Sequence, residues 1–189
     1  MELNTTCCFT GYRPHRFVFT ADGLRLEHLQ EALYGQIARL YDEGYRSFIS
    51  GMCIGVDMWA AQQVIALRRE HPDVELIAAV PFEGQEKHWA FSDQKEYRRL
   101  LDACDRVEVL CRPAVSRENA AACYRTRNRW MVDHAEALLA VYTGSPENVR
   151  SGTAATVHYA RERQRRILYI HPETLRLAEE TVRQLTFPL

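Results

Sequence analysis

Six short apolar runs recur along the chain, and each is followed by a segment that contains glycine or proline. Because the apolar positions within a run are continuous rather than alternating, they predict strands that are buried on both faces, as in a parallel sheet. The predicted strands cover residues 6–9, 47–49, 76–80, 107–110, 137–142 and 167–170.

Amphipathic patterns lie between these runs and predict helices. One apolar stripe with a 3.6-residue period covers residues 26–40, and Gly44 follows it as a C-cap signal. A second stripe covers residues 56–67 and stops before Pro72. Further helices are predicted around residues 97–101, 124–135 and 154–163. This alternation predicts an α/β fold: a Rossmann-like three-layer sandwich with a mainly parallel sheet and helices on both faces.

The chain has 189 residues, a length that fits one domain. It contains no internal repeat, low-complexity tract or shift in composition. We therefore expect a single domain over residues 1–189, with a C-terminal helical extension from about residue 172. In parallel α/β sheets, ligands bind outside the carboxyl ends of the strands, where helix N-termini present free N–H groups. Functional chemistry is accordingly expected in the loops that follow the strands.

Charge and cysteine usage narrow the function classes. A formal net charge of −1 gives no overall field that attracts nucleic acid or an anionic membrane. The six cysteines form no C-x-x-C pair and lie mostly in apolar runs, where a thiol behaves as a small hydrophobe. With no signal-peptide pattern and no run of about 18 apolar residues, a cytoplasmic protein is expected. The histidines have no metal-ligand spacing, so no metal site is expected.

The loop after the second predicted strand carries the strongest local signal. Ser50, Gly51 and Gly55 lead directly from the strand into an amphipathic helix, and Asp57 falls in its first turn. Glycine permits close approach of the backbone to a ligand, and a helix start attracts phosphate. The alternative is a tight strand-to-helix turn with an acidic capping residue. Two glycines alone do not decide between these interpretations.

A similar loop follows the fifth predicted strand. Ser151, Gly152 and Thr153 place hydroxyls and bare backbone at the start of a helix, which suits a phosphate. Ordinary N-capping by Ser151 or Thr153 is the alternative. Both interpretations place these residues at the carboxyl end of the sheet.

Two arginines extend the candidate site. Gly11 and Arg13 follow the first predicted strand. Arg127 and Asn128 lie on or beside the apolar stripe of the fourth helix, where a polar group costs free energy unless it is paired. A ligand phosphate or a group at the carboxyl end of the sheet is the expected partner of Arg127.

The loop after the third predicted strand offers aromatic and acidic groups. Phe82 and Trp89 are candidates for stacking on a base, although packing is the commoner role of such residues. Glu83 and Glu86 are candidates for accepting a hydrogen bond from a ribose hydroxyl.

An ordered set of motifs is similar to one protein family. The set comprises Thr10-Gly11-Tyr12-Arg13-Pro14, Ser50-Gly51, Gly55-Val56-Asp57, Pro81-Phe82-Glu83-Gly84-Gln85, Arg127-Asn128, Met131-Val132-Asp133, Leu138-Leu139-Ala140-Val141-Tyr142 and Gly152-Thr153. This series resembles the YpsA-like branch of the SLOG superfamily, which also contains DNA-processing protein A and the Lonely Guy cytokinin-activating enzymes. The resemblance covers residues 5–170 or nearly so.

The resemblance implies a Rossmann-like fold and a nucleotide-type ligand. The loop from Gly51 to Asp57 is similar to the phosphate-side loop of DNA-processing protein A. Arg127 resembles the Lonely Guy arginine that acts with a glutamate to cleave the N-glycosidic bond of a nucleoside monophosphate. Thr156 stands where that glutamate is expected, and Asn128 replaces a lysine. The catalytic carboxylate of the Lonely Guy enzymes is therefore missing.

Three functions remain open from the sequence. The first is non-catalytic binding or sensing of a small nucleotide-type ligand, such as a mononucleotide, NAD or ADP-ribose, with no required cofactor. The second is a phosphoribohydrolase-type N-glycosidase that uses another carboxylate, with Asp57 and Glu86 as candidates. Nucleic-acid binding is the third and least favoured, because the chain lacks a basic-aromatic pattern. A homo-oligomer is compatible with each function.

Overall fold

A computed structural model describes residues 5–20, 24–112, 119–144 and 151–181. Its described residues form one seven-stranded sheet in the order β4-β3-β2-β1-β5-β6-β7. The strands are β1 (Thr6–Gly11), β2 (Ser47–Ser50), β3 (Glu75–Val80), β4 (Arg106–Val109), β5 (Ala137–Val141), β6 (Arg166–Ile170) and β7 (Leu177–Glu180). All neighbouring pairs are parallel except β6 with β7. The predicted mainly parallel α/β sheet is confirmed.

Five α-helices connect the parallel strands. They are α1 (Leu26–Asp42), α2 (Val56–Arg68), α3 (Phe91–Asp102), α4 (Ala120–Asp133) and α5 (Gly152–Glu162), and a short 3₁₀ helix covers Pro14–Arg16. Helix α2 packs against α1 and α3, while α4 packs against α5. The strand order reverses at β1. Right-handed crossovers therefore place α1, α2 and α3 on one face of the sheet and α4 and α5 on the other. No helix in the described part of the chain is long and apolar enough to cross a membrane.

The core lies on both faces of the central strands. Every residue of β2 and β5 is buried, as the continuous apolar runs predict. On one face the rings of Phe9 and Phe48 stack with centroids 6.1 Å apart, which ties β1 to β2. From β1 the chain order runs outward in both directions, through β2 on one side and β5 on the other. The carboxyl ends of β1, β2 and β5 therefore surround a topological switch point.

The segment after residue 172 differs from the prediction. Residues Leu177–Glu180 form the antiparallel strand β7 rather than part of a terminal helix. This strand is largely exposed and has no apolar run, so its backbone pairing with β6 and ion pairs to neighbouring elements hold it in place. Arg166 pairs with Glu179 at 2.7 Å, and Arg161 pairs with Glu180 at 3.0 Å. Residues 182–189, which the predicted extension also includes, lie outside the described part of the chain.

Candidate functional site

A cavity of about 340 Å³ opens at the switch point of the sheet. Its walls come from the end of β1, the following 3₁₀ helix, the loop before α2, helix α4 and the start of α5. Eight of the residues predicted from sequence line it: Gly11, Arg13, Asp57, Arg127, Asn128, Ser151, Gly152 and Thr153. The end of β1 and the segment after it, the first turn of α2, helix α4 and the start of α5 therefore bring these residues to one place.

Four other predicted residues do not line the cavity: Ser50, Gly51, Gly55 and the acid candidate Glu86. Ser50 is fully buried, and its hydroxyl donates to the carbonyl of Asp57 at 2.8 Å. The same Oγ accepts from the N–H of Met52 at 3.1 Å. Ser50 therefore fixes the turn into α2 from below the cavity surface.

Arg127 and Asp57 form a buried ion pair beside the cavity. Nη1 of Arg127 donates to Oδ2 of Asp57 at 2.9 Å, and the two side chains are 5% and 10% exposed. Nη2 of Arg127 lies 3.1 Å from Sγ of Cys53. Burial opposes the charge of Arg127, but attraction to Cys53 and Asp57 outweighs it and raises the pKa of the guanidinium above its ordinary value. Asp57 is thus the partner that the sequence required for Arg127.

Gly51 is required by this ion pair. A Cβ at Gly51 would lie 1.1 Å from Nη1 of Arg127 and 2.6 Å from Oδ2 of Asp57. The missing side chain therefore makes room for the guanidinium, whereas the sequence suggested that it makes room for a ligand. Gly51 is internal packing because Arg127 already occupies the space above it.

Gly55 also serves packing, at the start of α2. Its φ is +102°, and a Cβ there would lie 2.6 Å from the carbonyl oxygen of Tyr12. The N–H of Val56 donates to the same carbonyl at 3.4 Å. The first turn of α2 is therefore closed by the backbone after β1, which is why Gly55 does not line the cavity.

The start of α5 is open to the cavity. Oγ of Ser151 accepts from the N–H of Ala154 at 3.1 Å, and the Thr153 hydroxyl donates to the carbonyl of Gly11 at 2.9 Å. The nearest atom to a Cβ built on Gly152 is Nδ2 of Asn128, 4.0 Å away. Within the described ranges, no atom accepts from the N–H of Gly152 or Thr153. Ser151 therefore caps the helix, while the N–H groups of Gly152 and Thr153 have no acceptor among the described residues.

Three basic side chains also line the cavity. Arg13, His15 and Arg16 are exposed side chains of the segment that follows β1, and all three line the cavity. With Arg127 they give three arginines and a histidine against the single carboxylate of Asp57. The lining formed by described residues therefore carries a net positive charge.

Eight further lining residues were not among the predicted site residues: Phe9, Thr10, Tyr12, His15, Arg16, Cys53, Ile54 and Tyr124. Cys53 was treated as a small hydrophobe, yet its sulfur contacts a guanidinium. Tyr124 precedes Arg127 by one helical turn, and the guanidinium lies 5.8 Å from its ring centroid. That spacing of three residues on one helix face was the available signal for Tyr124.

The loop after β3 packs beside the cavity rather than lining it. Phe82 contacts Tyr124 edge-on with centroids 5.7 Å apart, and Trp89 contacts Tyr97 in the same way at 5.3 Å. Neither aromatic residue nor Glu83 or Glu86 is part of the cavity wall. The geometry therefore offers these four side chains no direct contact with a molecule inside the cavity.

Known proteins similar to this chain share most of its length. The family model described as the YspA SLOG family matches residues 7–175. A UPF0398 protein of Halalkalibacterium halodurans is 31% identical, over 72% of this chain and 74% of the relative. The UPF0398 protein YpsA of Bacillus subtilis is 26% identical over 90% and 94% of the two chains. The SPbeta prophage-derived protein YoqJ of B. subtilis is 37% identical over 61% and 69%.

Proposed function

The chain belongs to the YspA SLOG family, and from this membership and the charge of the cavity we propose that it binds a phosphate-bearing small molecule. The ligand class is a nucleotide or a nucleotide derivative, such as a mononucleotide, NAD or ADP-ribose. The observation that carries the proposal is the excess of positive side chains, three arginines against one carboxylate, around a single cavity. Such a lining favours an anion over a neutral or cationic ligand.

The start of α5 supports the same ligand class. Backbone N–H groups at a helix N-terminus bind phosphate because they are unpaired donors at the positive end of the helix dipole. Here Gly152 and Thr153 line the same cavity as Arg13 and Arg16. A phosphate between them would receive hydrogen bonds from backbone and guanidinium donors together. The volume of about 340 Å³ falls within the size range of small-molecule sites, about 300–1,000 Å³.

The environment of the cavity's carboxylate favours binding without catalysis. Asp57 is the one carboxylate among the described lining residues, and its Oδ2 accepts from both Arg127 and the N–H of Cys53. A carboxylate held in this way is poorly placed to stabilise an oxocarbenium-like sugar. Thr156 is buried and donates to the carbonyl of Gly152 at 2.8 Å. We therefore favour a binder or sensor over an N-glycosidase, with no cofactor needed.

The free state of the cysteines supports a reducing, cytoplasmic setting. These residues are Cys7, Cys8, Cys53, Cys104, Cys111 and Cys123.

A thermal-shift series tests the proposal. Adenosine, AMP, ADP-ribose and NAD are added separately to the wild-type protein and to Arg13→Gln. A ligand at about 100 times its dissociation constant adds about 2.7 kcal/mol of stability. We expect at least one phosphate-bearing compound to raise the melting temperature while adenosine does not, and the rise to be smaller in Arg13→Gln. Arg98→Gln, which changes an exposed arginine of α3, is the matched control. No shift with any of the phosphates would refute the proposal.

A further inference from the structure

Cys53 lies on the cavity wall between two guanidinium groups. Its Sγ is 3.1 Å from Nη2 of Arg127 and 3.9 Å from Nη2 of Arg13. Positive neighbours favour the thiolate form of cysteine, which is the nucleophile. Cys53 is 8% exposed and is one of the residues that line the cavity, so a small molecule that enters the cavity comes next to this residue.

The remaining neighbours of Cys53 come from four elements. Asp57 on α2 accepts the N–H of Cys53 at 3.4 Å. Oε1 of Gln85, after β3, lies 4.0 Å from the sulfur. Tyr97 on α3 and Tyr124 on α4 also lie within electrostatic range of Cys53. Among these described neighbours, two arginines face one carboxylate, so one positive charge has no counter-charge.

Arg127 gives an independent indication that an anionic group belongs here. Its side chain is 5% exposed, and it lines the cavity. Its Nε is buried with no hydrogen-bond partner in the part of the chain that the structure describes. Buried donors of this kind are normally paired. The cluster therefore lacks an acceptor for this N–H, and a bound anion would supply it.

We propose that Cys53 is a nucleophilic thiol that forms a covalent adduct with soft electrophiles, specifically α,β-unsaturated carbonyl compounds, that enter the cavity. In this addition the sulfur forms a bond to the β-carbon of the electrophile and the carbon–carbon π bond breaks. The released electron pair takes a proton from water at the α-carbon, so no oxidant or metal is required. The proposal goes beyond the binding function and does not depend on it.

The other cysteines provide an internal comparison. Cys104 and Cys111 are more exposed than Cys53. Burial is nevertheless the main cause that raises the pKa of Cys104 to about 12 and that of Cys111 to about 11. Cys7 and Cys8 are fully buried in the core. Exposure alone thus predicts faster reaction at Cys104 and Cys111, whereas the guanidinium contacts predict faster reaction at Cys53.

Competitive labelling separates these predictions. The folded full-length protein is treated with substoichiometric N-ethylmaleimide near pH 6.5, and the modified cysteines are quantified by peptide mass mapping. We expect Cys53 to be labelled at least about tenfold faster than Cys104 and Cys111, because only the thiolate attacks. Labelling of Cys53 at a rate equal to or below theirs overturns the proposal.

Two further arms test the cause of the reactivity and its relation to binding. Arg13→Gln should slow the labelling of Cys53 severalfold, whereas Arg98→Gln should not, and equal rates in the two variants overturn the electrostatic explanation. Inorganic pyrophosphate is then added to the wild-type protein. Slower labelling of Cys53 supports a shared cavity. Fast labelling that pyrophosphate leaves unchanged supports the thiol proposal and counts against phosphate binding, so the two proposals fail separately.

Discussion

The guanidinium of Arg127 donates to the carboxylate of Asp57 at 2.9 Å, and this contact joins α4 to the first turn of α2 across 70 positions of the sequence. The pair lies between the two parts of the fold that meet at the switch point. Gly51 leaves the space for it, and Cys53 contacts it from the cavity side. One buried charge pair therefore shapes both the packing and the electrostatics of the candidate site.

Loss of Arg127 is expected to destabilise the fold. In Arg127→Gln, Asp57 keeps a buried charge without its partner, a change that commonly costs about 3–5 kcal/mol. Urea denaturation monitored by circular dichroism gives the free energy of unfolding. Arg125→Gln, on the exposed side of the same helix, should change it by no more than about 0.5 kcal/mol. In the double variant Asp57→Asn/Arg127→Gln the loss should be smaller than the sum of the single losses. Additive losses would show that the two groups are not coupled.

Two alanine substitutions at glycine should act in opposite directions. Gly51→Ala places a Cβ on the guanidinium of Arg127, so overpacking is expected to cost about 1–3 kcal/mol. Gly35→Ala lies inside α1 with nothing within 4 Å of the new Cβ, and it should add about 0.5–1 kcal/mol through helix propensity. Melting temperatures of the two variants measure the difference. A stable Gly51→Ala protein would contradict the described position of Arg127.

Acid should weaken the attachment of β7. Hydrogen bonds from Arg166 are the largest cause that lowers the pKa of Glu43 and of Glu179 from 4.5. A lowered folded-state pKa stabilises the protein above the unfolded-state value, and this stabilisation is lost as the pH falls through the folded-state pKa. The free energy of unfolding should therefore fall below about pH 4.5, and it should fall less steeply in Glu43→Gln/Glu179→Gln. Denaturation curves between about pH 3 and 6 test this. Glu31→Gln, an exposed change on α1, should keep the wild-type slope.

Incubation with AMP should release no free adenine by multiple turnover. The expectation follows from the engagement of Asp57 by Arg127 and from the position of Glu86 outside the cavity wall. Free base is quantified by liquid chromatography against a mock purification. Sustained release that disappears in Asp57→Asn, with that variant still folded, would establish an N-glycosidase instead of a binder.

The sheet could largely be predicted from the chain because five of its parallel strands, β1, β2, β3, β5 and β6, are mostly buried. All six predicted strands agree with the structure to within two residues at each end, although β4 is mostly exposed rather than buried on both faces. Strand β7 could not be found in this way, because Leu177–Glu180 is mostly exposed and held by charged partners from α5 and β6. An apolar run in the sequence indicates a buried strand, but it gives no information about ion pairs between residues that are distant in the sequence.

The candidate site was predictable in outline for a similar reason. Parallel strands bring the loops with Arg13, Asp57 and Gly152 to one edge of the sheet, whatever their side chains contact. The contacts within the site could not be predicted, because they depend on the side chain of Arg127. This side chain occupies the space above Gly51, so Gly51 contacts Arg127 rather than a ligand. Of the glycines predicted to admit a ligand, Gly152 is the one with open space above it.

The most direct test of the account is isothermal titration calorimetry of ADP-ribose and of AMP against the wild-type protein and Gly152→Val. A valine side chain at this position meets no atom closer than 4.0 Å at its Cβ, so the variant should fold with a near-wild-type circular dichroism spectrum. Its side chain would nevertheless stand at the open end of α5, where the phosphate is proposed to bind. We predict saturable binding of at least one compound by the wild type and at least about tenfold weaker binding by Gly152→Val, a loss of about 1.4 kcal/mol or more. Equal affinity in the two proteins, or no binding of either compound to the wild type, would contradict phosphate recognition at this cavity.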